Sequence, residues 1–272
     1  MMHGQKWTKD EINILKEKYG KIKNQELSLF IPTRTVAACV DKAKKLGLLN
    51  DRTIYLPRYT CNANYFDSPN IENSYWAGWL ASDGYIRSRD LSVNLKCVDK
   101  EAIEAFRDAI KYTGKISLEN SQKYKTQYGL HIYGNSGRKL SKILQNVWNI
   151  IPQKSLILKP PNIIDEECKK AFIIGLFDGD GTYVSYYRKD RPGKYFVFGI
   201  YGTEDMLSWV RENFYNWTNG ESGLPKIVKN TGCCYLQYYS TKCVNIMKML
   251  LEVPIKFRLS RKWLEIKTLT SK

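Results

Sequence analysis

Two short stretches, Tyr75 to Gly84 (YWAGWLASDG) and Phe172 to Gly181 (FIIGLFDGDG), carry one pattern twice and limit the fold more than any other part of the chain. Each reads as an apolar helix with a glycine in its middle, Gly78 or Gly175, closed by an aspartate and a glycine. A glycine just past the last periodic residue is a helix stop, because it adopts the left-handed conformation without steric penalty. Gly78 with Ser82, and Gly175 with Gly179, fall four apart on one helical face, where small residues let two backbones approach closely. Packing the two helices on those faces would set Asp83 beside Asp180.

A carboxylate in the last helical turn stands at the negative end of the dipole, beside carbonyls that have lost their intrahelical partners. Something positive is needed there. A hard divalent cation is the natural candidate: Mg²⁺ takes oxygen ligands and keeps several waters, and it would use Asp83 and Asp180 with the carbonyls of Ser82 and Gly179. The plainer alternative, two buried helices ending in incidental solvated aspartates, requires the same coincidence twice.

The remainder repeats around these helices. After Gly84 the period changes to two, predicting a hairpin over Tyr85–Arg89 and Leu91–Lys96 with Leu91, Val93 and Leu95 on one face. Ser68-Pro69 is expected to start the first motif helix, and Asp99 to cap DKEAIEAFRDAIKYTG. A further strand pair ends at GLHIYG, and the helix GRKLSKILQNVWNI follows. In the second half Asp165 opens the motif helix, a hairpin brackets RKDRPGK, Thr203 caps TEDMLSWVRENFYNW, and YLQYYS precedes TKCVNIMKMLLE. LSVNLKCVDKEAIEAF lies on FVFGIYGTEDMLSWV, GLHIYG on YLQYYS, and IPQKSLILK on VPIKFRLSRK, so the order argues an internal duplication of mixed α/β units.

Ahead of this body, residues 5 to 49 form a unit of their own. Thr8 and Glu11 make a capping box, and a second short helix is expected over Gln25–Phe30. A third is expected over Thr35–Leu46, with Arg34, Lys42, Lys44 and Lys45 outward. Between the units, DRTIYLPRYTCNANYFDSP lacks a sustained period and reads as a linker. The boundaries expected are 1–49, a linker over 50–68, and two halves over 69–160 and 161–272.

Charge narrows the partner. A net charge of +16 spread along 272 residues points to a polyanion, nucleic acid ahead of a membrane surface. No apolar run approaches a spanning helix, and MMHGQKWTKD lacks the apolar core of a signal peptide, so an intracellular, cytoplasmic setting without a membrane is expected. Seven cysteines without a CxxC pair, and two histidines, argue against zinc or a disulfide framework.

The two stretches resemble the motif that names the LAGLIDADG homing endonucleases, in the single-chain form that carries both copies. Gly175, Asp178, Asp180 and Gly181 match; in the first copy Ala81 stands where the earlier acidic residue is often found, and Ser82 replaces the small alanine or glycine. The resemblance covers roughly residues 70 to 266. It implies an α+β fold, a pseudo-twofold duplicated αββαββα domain with saddle-shaped antiparallel sheets, preceded here by a small three-helix domain. KWTKDEINILKEKYG and PTRTVAACVDKAKKLGL look like a Myb/SANT-like helix-turn-helix, whose third helix would enter the major groove and make Arg34, Lys42 and Lys45 DNA contacts; a protein-interaction module is the alternative.

What the family implies is a monomer acting on double-stranded DNA, with two or more Mg²⁺ ions (Mn²⁺ as substitute), leaving short 3′ overhangs as a mobile intron-homing element. A pair of metal-bound carboxylates can turn water into a nucleophile and stabilise the leaving oxygen of an in-line phosphodiester displacement. Nearby cations would stabilise the developing charge. The repeat alignment nominates Lys154 and Lys256, with Arg261 and Lys262 as rivals; all four could equally be surface charges. In the family the sheet face turned away from the helices lies in the major groove. That makes Tyr85, Arg87, Arg89, Ser92, Asn94 and Lys96, with Thr182 and Arg188, candidates for base readout, although a solvated sheet would alternate in the same way. FVFGIY is apolar on both faces and has no account in these terms. A non-cleaving regulator and an RNA maturase assisting intron splicing are the rival functions. The start at methionine and the TLTSK terminus, lacking a His-Asn splicing pair, suggest a chain not embedded in an intein.

Overall fold

The computed structural model describes residues 6–48, 59–119, 126–187, 189–190, 192–230 and 232–270, and the chain divides into two units, Met1–Arg58 and Tyr59–Lys272. In the first, helix α1 (Lys9–Lys18) opens on the expected capping box: Glu11 N donates to Thr8 Oγ1 at 3.1 Å and Thr8 N to Glu11 Oε2 at 2.8 Å. A 3₁₀ turn (Asn24–Glu26) runs into α2 (Leu27–Phe30), and α3 (Val36–Lys45) is capped by Thr35. Leu15, Tyr19, Leu27, Ile31, Cys39 and Ala43 close a core of their own.

The second unit begins inside the stretch read as a linker. Thr113 N donates to Thr60 O at 2.9 Å and Asn62 N to Ile110 O at 2.8 Å, while Phe66 is fully buried and its carbonyl accepts from Trp148 Nε1 at 2.8 Å. Aromatic residues without a period supplied burial here, so residues 59–68 are part of the body; residues 49–58 lie outside the described chain. The first motif helix also starts later than Ser68-Pro69 suggested. Asn70 caps it in a reciprocal exchange with Asn73 at 2.8 and 3.0 Å, and the Asn73 amide reaches back to the Ser68 carbonyl at 2.8 Å.

From there the order is α4 (Ile71–Ser82), β1 (Gly84–Ile86), β2 (Val93–Cys97), α5 (Lys100–Ala109), β3 (Ser117–Glu119), β4 (Gln127–Ile132) and α6 (Gly134–Trp148). The second round is α7 (Glu166–Asp180), β5 (Gly181–Tyr187), β6 (Lys194–Gly202), α8 (Glu204–Trp217), β7 (Val228–Asn230), β8 (Cys233–Tyr239) and α9 (Ser240–Leu251), with α10 (Ser260–Thr270) added at the end. Both sheets are antiparallel and share one topology, β1-β2-β4-β3 and β5-β6-β8-β7. This is the duplicated αββαββα architecture expected from the sequence, and its sheets leave one face against the helices. Val93, Leu95, Leu130 and Ile132 are buried on that face in the first half, as are Phe198, Ile200, Leu236 and Tyr238 in the second. Alternation turns the intervening residues outward.

The motif helices α4 and α7 cross at the centre of the core, buried along most of their length. A Cβ on Gly78 would overlap the carbonyl of Phe172, and a Cβ on Gly175 would overlap that of Tyr75. The contact is reciprocal, as an isologous twofold interface requires, although both sides belong to one chain. Further along, Gly179 faces Ser82, where a Cβ would overlap the hydroxyl.

Candidate active site

The crossing delivers the two helix ends to one place. Asp83 caps the C-terminus of α4 and Asp180 is the last residue of α7. Asp83 is half-buried, its Oδ2 accepting from Trp79 Nε1 at 3.0 Å. Burial, and after it the charge of Asp180, pushes the Asp83 carboxyl up to about 6. Asp180 opens to solvent, yet desolvation by the surrounding protein still raises it, against the pull of Lys154 and Lys262. Desolvation is the larger cause at both carboxylates, and the Asp180 charge felt at Asp83 shows that the two side chains are near neighbours.

The positive charge demanded by the helix ends is a lysine at each. Lys154 Nζ donates to the carbonyl of Ser82 at 2.8 Å. Lys262 Nζ lies 2.7 Å from Phe177 O, 2.8 Å from Asp178 O, 3.1 Å from Gly179 O and 2.7 Å from Gly181 O, gathering the orphan carbonyls of α7. Both lysines are buried, and burial lowers both, Lys262 to about 8.

Lys256 does not join them. It is exposed, and its backbone N–H donates to Glu72 at 3.0 Å, near the opposite end of α4. Aligning VPIKF on IPQKS matched proline-to-lysine spacing, whereas the counterpart of Lys154 in space is Lys262, carried in by α10. The other rival, Arg261, is held by Asp99 through contacts of 3.1 and 3.2 Å. Asp99 is the N-cap of α5 but makes no side-chain capping bond, because its carboxylate is spent on that guanidinium.

Asp178, two residues before Asp180, is a supporting group. It is 1% exposed, and its carboxylate accepts from Tyr75 Oη at 2.8 Å, Leu259 N at 3.0 Å and Trp263 Nε1 at 2.6 Å. The side chain thus ties α7 to α4 and to the segment that presents Lys262. Its motif position was legible in the sequence, but none of its partners was.

The outer face of the first sheet continues from Asp83. A cleft of about 310 Å³ is lined by Asp83, Tyr85, Arg87, Asn94, Lys96 and His131. Tyr85 and Arg87 are exposed, as is Arg89 in the turn beyond β1. Ser92 and Asn94 are on this face but buried, 4% and 7% exposed, and the Asn94 amide is engaged with Tyr85 O, Ser92 and His131 Nδ1, the last at 2.6 Å. These two order the surface rather than standing free on it. His131 is a member the sequence reading overlooked, although its alternation with Leu130 and Ile132 marks it as outward. A second cleft of about 300 Å³, including Ser82, Lys154, Asp180, Thr203 and Cys233, flanks the pair on the side of the second half. Thr182 is exposed on β5, and Arg188 lies outside the described residues.

The donor set suits a hard divalent ion. Two carboxylates converge, and the Ser82 and Gly179 carbonyls, though each accepts from a lysine, keep a second lone pair. Among the described residues no group of three or more His, Cys, Asp or Glu forms a cage, so an ion held here would retain waters, as Mg²⁺ commonly does.

In the N-terminal unit Arg34 is not an outward contact. It is bound to both oxygens of Glu11, at 2.9 and 3.1 Å, and stacks on Trp7. Its hydrogen bonds, with those of Thr33 and Thr8, hold the Glu11 carboxyl down at about 2. Lys44 and Lys45 are exposed on α3, and Lys42 is half-buried over the Trp7 ring. No described helix is long and apolar enough to cross a membrane.

The element order, the glycine crossing and the paired four-stranded sheets are the fold of the LAGLIDADG endonucleases. Among solved structures the chain is similar to the LAGLIDADG meganuclease I-CpaMI bound to uncleaved DNA, with TM-score 0.51 and 12% identity over 75% of this chain and 92% of that one. It is similar also to the LAGLIDADG homing endonuclease I-LtrWI bound to target DNA (0.50, 13%, 77% and 91%). A third is the homing endonuclease I-WcaI bound to its DNA recognition sequence (0.50, 11%, 83% and 97%). Likeness at these identities is likeness of fold. No protein-family model and no curated protein matches the sequence.

Proposed function

We propose that the chain is a site-specific, metal-dependent DNA endonuclease that makes a double-strand break. The observation that carries this is the meeting of Asp83 and Asp180 at the crossing of α4 and α7, each helix end accompanied by a buried lysine. A bound Mg²⁺ would supply a water of lowered pKa and a Lewis acid for the leaving oxygen. Asp83 and Asp180 would hold such an ion, with help from the carbonyls of Ser82 and Gly179. Lys154 and Lys262 keep positive charge beside the phosphate as charge develops on its oxygens. Each half contributes one aspartate and one lysine, so each serves one strand, and one chain suffices without a second copy.

The outer sheet faces lie along the major groove on either side of the pair. Arg87, Arg89 and Lys96 act there for the first half, with Tyr85, Ser92 and Asn94 shaping the face. On the second half Thr182 flanks the site. The N-terminal unit extends the footprint as a helix-turn-helix that turns Lys42, Lys44 and Lys45 of α3 to DNA.

Incubation with supercoiled plasmid carrying the DNA that flanks the reading frame, in Mg²⁺, tests the assignment. Linear product is expected from the wild-type chain and none from Asp83→Asn. Stable binding without linearisation would leave a regulator, and preference for intron RNA over duplex would leave a maturase.

A further inference from the structure

The two outer sheet faces are chemically unlike. In the first sheet, register sets Tyr85 opposite Asn94 and Asn94 opposite His131, and the same face carries Arg87, Lys96 and Glu119. Among the described residues Arg87 meets Asp90 at 3.4 Å, and Lys96 meets Glu119 at 2.6 Å. In the second sheet the corresponding outward positions are Thr182, Val184 and Tyr186 on β5, then Tyr195, Val197, Gly199 and Tyr201 on β6. On β8 they are Tyr235, Gln237 and Tyr239. None of these is charged, in a protein of net charge +16.

Among the described residues the second face is not sealed by neighbours. Val184 is 45% exposed, Tyr201 40% and Tyr239 54%. Gln237 Oε1 accepts from Tyr239 Oη at 2.6 Å, which occupies the amide oxygen and makes the NH₂ the group of that side chain with a donor to offer. Gly199, directly opposite Gln237, keeps the middle of the face low: a Cβ there would stand 3.4 Å from Gln237 Cγ.

We infer that the two sheets read unlike half-sites: the β5–β8 sheet packs on thymine methyl groups in an A·T-rich half, and the β1–β4 sheet reads a half containing G·C pairs. This rests on the reading of both sheets as DNA-facing. The 5-methyl of thymine is the one apolar group in the major groove, and valine and tyrosine side chains bury it favourably. A guanine or cytosine against the same surface would lose water from O6, N7 or N4 with few partners in return. The Gln237 amide supplies a donor for an adenine N7 or thymine O4. Across the molecule, Arg87 and Lys96 match guanine acceptors and Glu119 the cytosine amino group. The apolar strands FVFGIY and YLQYYS are then a specificity surface.

The full chain, held with Ca²⁺ to prevent cutting, is selected against a duplex library randomised across the site, and the bound pool is sequenced. One half is expected to enrich in A·T, the other in G·C. Val184→Arg should redirect preference to guanine inside the A·T-rich half alone, which assigns that half to the second sheet. Arg87→Ala should relax only the other half. On the selected duplex, replacing thymine by deoxyuridine in the A·T-rich half should weaken binding roughly threefold for each methyl buried. The same replacement in the other half should have no such effect. Two half-sites of equal composition, an A·T-rich half that follows Arg87 instead of Val184, or indifference to deoxyuridine overturns the inference while leaving a DNA endonuclease intact. Failure to retain any duplex would remove the DNA-facing reading itself.

Discussion

Gly78 meets the carbonyl of Phe172 with no room for a Cβ, and Gly175 meets that of Tyr75 in the same way. The two helices are therefore in backbone contact, and any side chain at either glycine must push rigid main chain apart. Gly78→Ala and Gly175→Ala are each expected to lower stability by about 3 kcal/mol or more, by separating helices whose packing fills the core. Urea denaturation of the Tyr59–Lys272 signal measures this. A loss below 0.5 kcal/mol, on the order of an ordinary surface change, would show that the helices do not cross here.

Asp83 is held at a stability disadvantage. Its folded-state value of about 6 is above the ordinary carboxylate value of 3.8, so the folded protein binds this proton more tightly than the unfolded chain. The associated stability is present below the unfolded value and is lost as pH rises through about 6. In EDTA at neutral pH, Asp83→Asn should thus be more stable than wild type by about 1–2 kcal/mol, allowing for partial exposure, and the difference should vanish near pH 4. The proposed metal-dependent cleavage should have the opposite trend, because a proton would compete with the metal for the carboxylate. Activity should fall as pH drops through about 6, with the midpoint moving lower as Mg²⁺ is raised. Melting curves and initial rates across pH 4 to 8 check both arms.

The carboxylate of Asp178 serves three donors at once and has none to spare. Asp178→Ala strands Tyr75 Oη, Leu259 N and Trp263 Nε1 in the core, and Asp178→Asn sets an amide NH₂ against them. A loss of about 3–5 kcal/mol is expected for the alanine variant, since buried unpaired donors forfeit their full desolvation energy. Where folded protein survives, DNA affinity should hold while the cleavage rate drops, because the segment that presents Lys262 has lost its anchor. Equal stability to wild type would contradict this network.

How much of this was legible follows from the range of each signal. The motif helices, the capping box at Thr8 and Glu11, and the order of strands are local patterns, and they appear where periodicity put them. The small residues at 78, 82, 175 and 179 reported a close crossing because only a contact in space explains them. Partners far apart in sequence were not legible. Lys154 and Lys262 perform one task from unlike local surroundings, so an alignment by proline spacing chose Lys256. Asn94 and Arg34 read as outward polar residues, and both are committed to side chains on other strands or helices. Sequence alternation gives the face, not who else stands on it.

Lys262 and Lys256 separate by substitution. Lys262→Met removes the donor from four carbonyls around the end of α7 and a cation whose charge is felt by Asp178 and by both members of the carboxylate pair. Its cleavage rate should fall on the order of a hundredfold or more, the scale for loss of one charge-stabilising donor. Stability should fall by about 2–4 kcal/mol. Lys256→Met should leave both within error. In the wild type the lysine is cationic below about 8, so the rate should also decline above that pH, and Lys262→Arg should move the decline upward. Full activity in Lys262→Met, or its loss in Lys256→Met, would reverse the assignment.

Arg34 is expected to act through folding of the N-terminal unit. Its guanidinium holds Glu11, which also closes the capping box on Thr8 and accepts from Thr33, so one carboxylate joins the start of α1 to the turn before α3. Arg34→Ala should loosen both ends together and speed amide exchange in residues 8 to 15, by about 1–3 kcal/mol of local stability for a lost charge-assisted network. Lys45→Ala should leave exchange unchanged and lower DNA affinity with a shallower salt dependence, as the loss of one phosphate contact does. If instead Arg34→Ala leaves exchange untouched and weakens DNA binding as Lys45→Ala does, the guanidinium reaches the duplex and the Glu11 pair is broken in the complex.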